Sequence, residues 1–333
     1  MINISEQAIP RCFVDTMENA PIACVDIGGS KVSVTLVRPQ GLAIRAIEPT
    51  AKVGTHDALA RQVIALIGHC CTLAHLPLTS LSKVGVSSCG PFVLRAGSIE
   101  LAAPNICEGL AGPAPGQFND WRSAPLEAPL RRHFKNLRLE NDGIAALEAE
   151  RRWGALRDGD QPLAHCAYVT WSTGIGMGLC VDGRVLHGKN GNAGHGGHLF
   201  VTDDLTNVCG CGNVGDVESL IGGNAIERRF RHLGYCDAAA LFAASGTGDA
   251  GATDLIDGLC RVMARALYNL VAMLDLQRIS IGGGLFWPHR DKLLPRLRKH
   301  MAGKLPAMTD GCQVVEAGLG ERVGDFAALS LVV

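Results

Sequence analysis

Two apolar runs, each broken by a glycine turn and resumed at once, constrain this chain more than any other feature. The first runs from Ile22 to Asp26, turns through Asp26-Ile27-Gly28-Gly29-Ser30-Lys31 and resumes as Val32 to Val37. The second runs from Ala167 to Thr170, turns through Ser172-Thr173-Gly174-Ile175-Gly176-Met177-Gly178 and ends at Val181, about 145 residues further on. No helix follows the first glycine cluster, so it is neither a P-loop nor a dinucleotide fingerprint, both of which open a helix. A strand, a turn and a returning strand make a β-hairpin. Its glycines either serve the turn alone or let backbone N–H groups wrap an anion such as phosphate.

The stretch from Gly188 to Gly223 is the second constraint. It holds His195, His198, Cys209, Cys211, Asp216 and Glu218 among closely spaced glycines. Cys209-Gly210-Cys211 makes a knuckle that brings two thiolates onto one metal. His198, eleven residues upstream, and Asp216, five residues downstream, complete a four-ligand set. Tetrahedral Zn²⁺ accepts sulfur, imidazole nitrogen and carboxylate oxygen. The bland alternative is a glycine-rich surface loop with two incidental thiols.

Composition closes off several classes. A chain of 333 residues is long enough for two domains with real cores. Apolar residues make up 47% and charged residues 19%, which suits a globular enzyme. The net charge of −1 supplies no global field toward nucleic acid or a membrane surface. Thirteen cysteines are many, but their spacing is irregular and the polar N-terminus has no apolar core of a signal peptide. Reduced thiols in the cytoplasm with one metal cluster therefore fit better than a disulfide framework. No apolar run reaches the ~18 residues of a membrane-spanning helix.

In chain order, residues 1–20 carry no strong pattern and read as an arm or a short extra helix. Asp57–Leu73 has apolar residues on one helical face. Lys83–Ser88 reads as a buried strand that ends in Cys89-Gly90-Pro91. Residues 108–119 are rich in Gly and Pro and read as a loop. The segment from Leu126 to Phe134 reads as a helix. Leu137–Glu140 is a strand that delivers Asn141-Asp142-Gly143 to a helix from Ile144 to Trp153. A carboxylate placed there lies at the lip of an α/β crevice, although Asp at that point is also a common N-cap. The segment 215–231 reads as one helix beside the knuckle, and 253–274 as a long one. Ile279–Ile281 is a strand closed by Gly282-Gly283-Gly284. Helices at 289–301 and 324–333 follow.

Read together, the motifs resemble the ROK family of repressors and sugar kinases, from residue 22 to about 330. Asp26-Ile27-Gly28-Gly29-Ser30-Lys31 is similar to the family's first phosphate motif, and Thr173-Gly174-Ile175-Gly176 to its second. Ala103-Pro104-Asn105, Trp121-Arg122-Ser123-Ala124-Pro125-Leu126 and Asn141-Asp142 match in the same order. Gly194-His195-Gly196-Gly197-His198 and Cys209-Gly210-Cys211 through Glu218 resemble the family signature, with two departures. His195 stands where the family has glutamate, and Asp216 stands where it has a third cysteine.

The resemblance implies an actin-like (ribonuclease H-like) two-domain fold with an active-site cleft between the domains. One domain would span 20–137 plus about 320–333. The other would span 138–319 and carry the metal knuckle at 198–216. It also implies ATP-dependent phosphorylation of a sugar 6-hydroxyl in a homodimer. Asp142 would be the base. Asn105, Asn141, His195, His198 and Glu218 would bind the sugar. Asp26 would face hydrated Mg²⁺. Gly28, Gly29, Ser30, Lys31, Thr173, Gly174 and Gly176 would hold phosphates, with Gly283 and Gly284 beside the adenosine. Zn²⁺ on the knuckle would be structural and orient His198.

Three functions follow from this reading. An imidazole at position 195 donates a hydrogen bond where a carboxylate only accepts. That suits the acyl oxygen of an N-acetylhexosamine, and N-acetylmannosamine kinases of the family are similar in carrying G-H-x-G-H. A glucokinase with a tolerated change at 195 is the second reading. A sugar-responsive regulator is the third; only 25 residues precede Asp26, too few for a DNA-binding helix-turn-helix.

Overall fold

The computed structural model describes residues 3–8, 20–38, 42–111, 117–203 and 206–333. The chain divides into two compact units. The first comprises Met1–Ala149, His187–Asn192 and Gly324–Val333; the second comprises Glu150–Leu186 and Ala193–Val323.

The first unit is built on β1 (Asn3–Ala8), β2 (Ile22–Ile27), β3 (Lys31–Val37), β4 (Leu42–Pro49), β5 (Lys83–Ser88), β6 (Phe92–Arg95), β7 (Ser98–Leu101), β8 (Ala124–Pro125) and β9 (Leu137–Asn141). Its main sheet has the order β1-β4-β3-β2-β5-β9. Strands β2, β3 and β4 run antiparallel in turn, and β5 and β9 continue parallel to β2. Ile22, Ala23, Cys24 and Val25 are all buried, as an unbroken apolar run in a sheet covered on both faces requires. The helix Ala58–Leu73 covers one face with Leu59, Val63, Leu66, Ile67 and Cys70, a single stripe at helical spacing. Strands β6, β7 and β8 form a small separate sheet.

The second unit repeats the plan. Its strands are β10 (Arg157–Asp158), β11 (Gln161–Pro162), β12 (Cys166–Trp171), β13 (Ile175–Val181), β14 (Arg184–Val185), β15 (Arg278–Gly282) and β16 (Gln313–Glu316). The main sheet has the order β14-β13-β12-β15-β16, antiparallel across β12–β13–β14 and parallel across β12–β15–β16. Numbered along the chain within each core, both sheets read 3-2-1-4-5, and in both the glycine turn joins strands 1 and 2. The helix Ala250–Leu274 buries Ile256, Leu259, Met263, Leu267 and Leu270 in this unit's core.

Some expectations change. Asn3–Ala8 is an edge strand paired with β4, not an arm or helix; the remainder of 1–20 up to residue 19 lies outside the described residues, as do 112–116 in the expected loop. The first unit runs to Ala149: β9 hydrogen-bonds to β5, and the helix that follows β9 belongs to the same unit as far as that residue. The single helix expected over 215–231 is two, Val217–Ile221 and Gly223–Phe230. They break at Gly222, where a Cβ would sit 2.9 Å from Glu218 O and 3.0 Å from Thr173 O. The chain turns there because it meets the second glycine hairpin.

Candidate active site

In the first unit the turn between β2 and β3 is closed by Gly28 N–H donating to Lys31 O (2.9 Å) and by Thr50 Oγ1 donating to Gly28 O (2.7 Å). A Cβ on Gly29 would lie 1.8 Å from the Asn105 side chain. Asn105 is thus laid directly on the first glycine turn, and only glycine leaves it room. Asn141 is buried at the end of β9, and Asp142 opens the helix Asp142–Trp153. The Gly143 N–H donates to both Asn141 Oδ1 (3.0 Å) and Asp142 Oδ1 (2.8 Å).

Asp26, at the end of β2, has its carboxyl pushed up to about 7 by burial, then by the negative charges of Asp142 and Asp325, against the opposing pull of Lys31 and Arg45. Asp325 is held by Arg45 at 2.9 Å. Burial, followed by the charges of Asp142 and Asp26, raises the Cys89 thiol well above its usual range. The first unit therefore gathers Asp26, Lys31, Asn105, Asn141 and Asp142 from the expected set. It adds Arg45 and Asp325, which no motif marked; they are 280 residues apart and only the sheet and the returning helix bring them together.

In the second unit the Ser172 N–H donates to Gly174 O across the other glycine turn (3.0 Å). Gly283, at φ +101, packs so tightly on Trp171 that a Cβ would lie 2.4 Å from its carbonyl oxygen; on Gly284 it would meet Ser172 Oγ at 3.4 Å. The glycines after β15 and the turn after β12 thus meet. Glu218 Oε2 accepts from the Ile175 N–H (2.8 Å), and a Cβ on Gly174 would clash with it at 2.6 Å. Glu218 therefore braces the hairpin turn. His195 and His198 flank a short 3₁₀ turn, their rings 6.2 Å apart. That turn hangs on β13 through Met177 N–H donating to Gly194 O (2.8 Å).

His198, Cys209, Cys211 and Asp216 come together with all four ligand atoms within 4.8 Å of one another. His198 Nδ1 lies 3.1 Å from Asp216 Oδ2, 3.5 Å from Cys211 Sγ and 3.9 Å from Cys209 Sγ. A zinc tetrahedron with bonds of about 2.0–2.3 Å has edges of about 3.3–3.8 Å, so the four side chains are of the types Zn²⁺ accepts and need only a small adjustment to surround one ion. Asp216 is fully buried and uses both oxygens. Oδ2 faces the cluster, and Oδ1 accepts from the Ser219 N–H at 2.7 Å, capping the helix Val217–Ile221. Its two oxygens divide the two tasks between them. The hydrogen bond to Asp216 leads in raising the His198 pKa, against desolvation. Burial pushes the Asp216 carboxyl up, but its bonds to His198 and Ser219 outweigh that and hold it below the usual range.

Two sheets of one topology, each with a glycine hairpin between its first two core strands, define an actin-like two-domain α/β protein. The chain belongs to the ROK family, whose model matches residues 22–333. It is 29% identical to a glucokinase of Aeropyrum pernix, with 94% of this chain and 96% of that one covered. It is 30% identical to an N-acetylmannosamine kinase of Escherichia fergusonii, covering 78% of this chain and 82% of the relative. The crystal structure of a ROK hexokinase from Thermus thermophilus matches with a TM-score of 0.69 at 27% identity, over 93% of this chain and 97% of that one.

Proposed function

We propose that this protein phosphorylates the 6-hydroxyl of an N-acetylhexosamine, with N-acetylmannosamine the first candidate. The coarser statement stands on the family and its relatives: the chain is an ATP-dependent sugar kinase of the ROK family. Phosphoryl transfer asks a protein for a positioned nucleophile, a base and a clamp on the phosphates. In this reading Asp142 accepts the 6-hydroxyl proton, and Asn141 and Asn105 hold neighbouring hydroxyls. His195, His198 and Glu218 hold the far side of the ring. The turns at Gly28–Lys31 and Thr173–Gly176 present N–H groups to the phosphates, and Gly283 and Gly284 lie beside the adenosine. Asp26 faces Mg²⁺, which would neutralise phosphate charge; the repulsion around Asp26 is what a divalent cation relieves. His198, Cys209, Cys211 and Asp216 would hold Zn²⁺, which fixes the His198 ring and leaves Nε2 for the sugar.

The observation that carries the choice of sugar is His195. It shares one short turn with His198 and supplies a donor where a carboxylate would only accept. The glucokinase relative, similar over 94% of the chain, favours glucose as the second reading. A coupled assay with ATP across a panel of hexoses and N-acetylhexosamines separates the two. The expected result is a higher kcat/KM for N-acetylmannosamine than for glucose.

A further inference from the structure

The chain passes to the first unit for only six residues, His187–Asn192, between stretches that belong to the second. Two side chains hold this segment. His187 Nε2 lies 3.4 Å from Glu140, the residue before Asn141. Asn192 makes a firmer tie: the Phe92 N–H donates to Asn192 Oδ1 and Asn192 Nδ2 donates to Phe92 O, both at 2.7 Å. Phe92 opens β6, whose other edge is taken by β7, and the preceding carbonyl of Pro91 already accepts from Ala102 N–H. Successive residues of a strand offer their N–H and C=O to opposite edges, so the amide of Asn192 fills the free edge of β6 as a neighbouring strand would. Gly191, at φ +78, lies against the Phe92 ring, with a built Cβ 3.4 Å from it.

We propose that Asn192 is a positioning residue that fixes the point from which the His195–His198 turn leaves the first unit. The proposal rests on the sugar-kinase reading and deepens it. The argument is one of chain length. Asn192 is fixed to Phe92, and Gly194 is fixed to Met177 in β13, so Ala193 alone separates the two anchors. The two steps from Asn192 to Gly194 span at most about 7 Å, so the anchors restrain each other closely. His195 follows at once, and His198 three residues later. This is the shortest covalent path between the unit that carries Asp142 and the histidines that bind the sugar. Asparagine suits the task because one flat group both accepts and donates, matching a peptide edge.

The test is Asn192→Ala and Asn192→Asp in the full chain. Alanine removes both bonds. Aspartate keeps the bond from Phe92 N–H but turns an oxygen toward the Phe92 carbonyl, so it remains informative if the alanine variant does not fold. Hydrogen exchange of the peptide spanning 187–198 should quicken by about tenfold or more in either variant, the value of one or two ordinary hydrogen bonds. The KM for sugar should rise by about tenfold, while kcat and the KM for ATP stay within about twofold. A loss of fold alone would lower active fraction and kcat and leave the sugar KM unchanged. Unaltered exchange, or faster exchange with an unaltered sugar KM, overturns the proposal. If the wild type phosphorylates no sugar, the functional reading fails separately, and the exchange result alone decides the role of Asn192.

Discussion

Asp216 is the residue on which two jobs converge, so its substitution has a magnitude that can be worked out. Its Oδ1 caps the helix Val217–Ile221, and its Oδ2 meets His198 at 3.1 Å, with the whole residue buried. Loss of an N-cap costs about 1 kcal/mol. Loss of a buried bond between a carboxylate and an imidazole costs about 1.5–3 kcal/mol. Asp216→Ala should therefore destabilise the second unit by about 2–4 kcal/mol. In a unit of its size each kcal/mol moves the melting temperature by about 2–4 °C, which gives a drop of roughly 5–15 °C by differential scanning calorimetry. Asp216→Ser keeps the cap and loses the histidine partner, so it should fall about 1 kcal/mol less. Asp216→Cys restores the family's ligand type without the cap and should regain stability only when zinc is supplied. An alanine variant that melts within 1 °C of wild type would refute the dual role.

Other outcomes follow from the same geometry. Asp142→Asn should bind sugar nearly as well by calorimetry but turn over about 10²- to 10⁴-fold more slowly, the usual worth of a general base; unchanged kcat would remove Asp142 from the chemistry. Elemental analysis should find about one zinc per chain, and Cys209→Ser should lose it and bind sugar more weakly. A metal-free protein with full activity would count against this. The raised Asp26 pKa sets a pH signature. The folded value of about 7 exceeds the unfolded 3.8, so this group's contribution to stability is full below the unfolded value and is lost as pH rises through 7. Asp26→Asn should thus gain about 1–3 kcal/mol on wild type between pH 5 and pH 8 in denaturant melts. No change in the difference between those pH values would show that Asp26 ionises freely.

Much of this was legible in the sequence, and the reasons are particular. The hairpins were readable because glycines punctuate two apolar runs of strand length, and the Asn141-Asp142 pair because a strand delivers it to a helix. The knuckle was readable because two cysteines one residue apart are chemically distinctive. Strand β4 and the small sheet β6–β7–β8 were missed: Leu42–Pro49 carries charge within it, and the small strands have four residues or fewer. The capping role of Asp216 left a signal that went unread, an Asp three residues before Ser219 at a helix start. Arg45, Asp325 and Asn192 left none. Their partners lie 280 and 100 residues away, and nothing local marks such pairs.

The most direct test of the account is kcat/KM for N-acetylmannosamine and for glucose with ATP, in wild type and in His195→Glu. The wild type should prefer N-acetylmannosamine. The variant should lose about 5- to 150-fold of that preference, because the acyl oxygen would face a carboxylate in place of a donor. A wild type that phosphorylates glucose better than any N-acetylhexosamine contradicts the account and makes the protein a glucokinase.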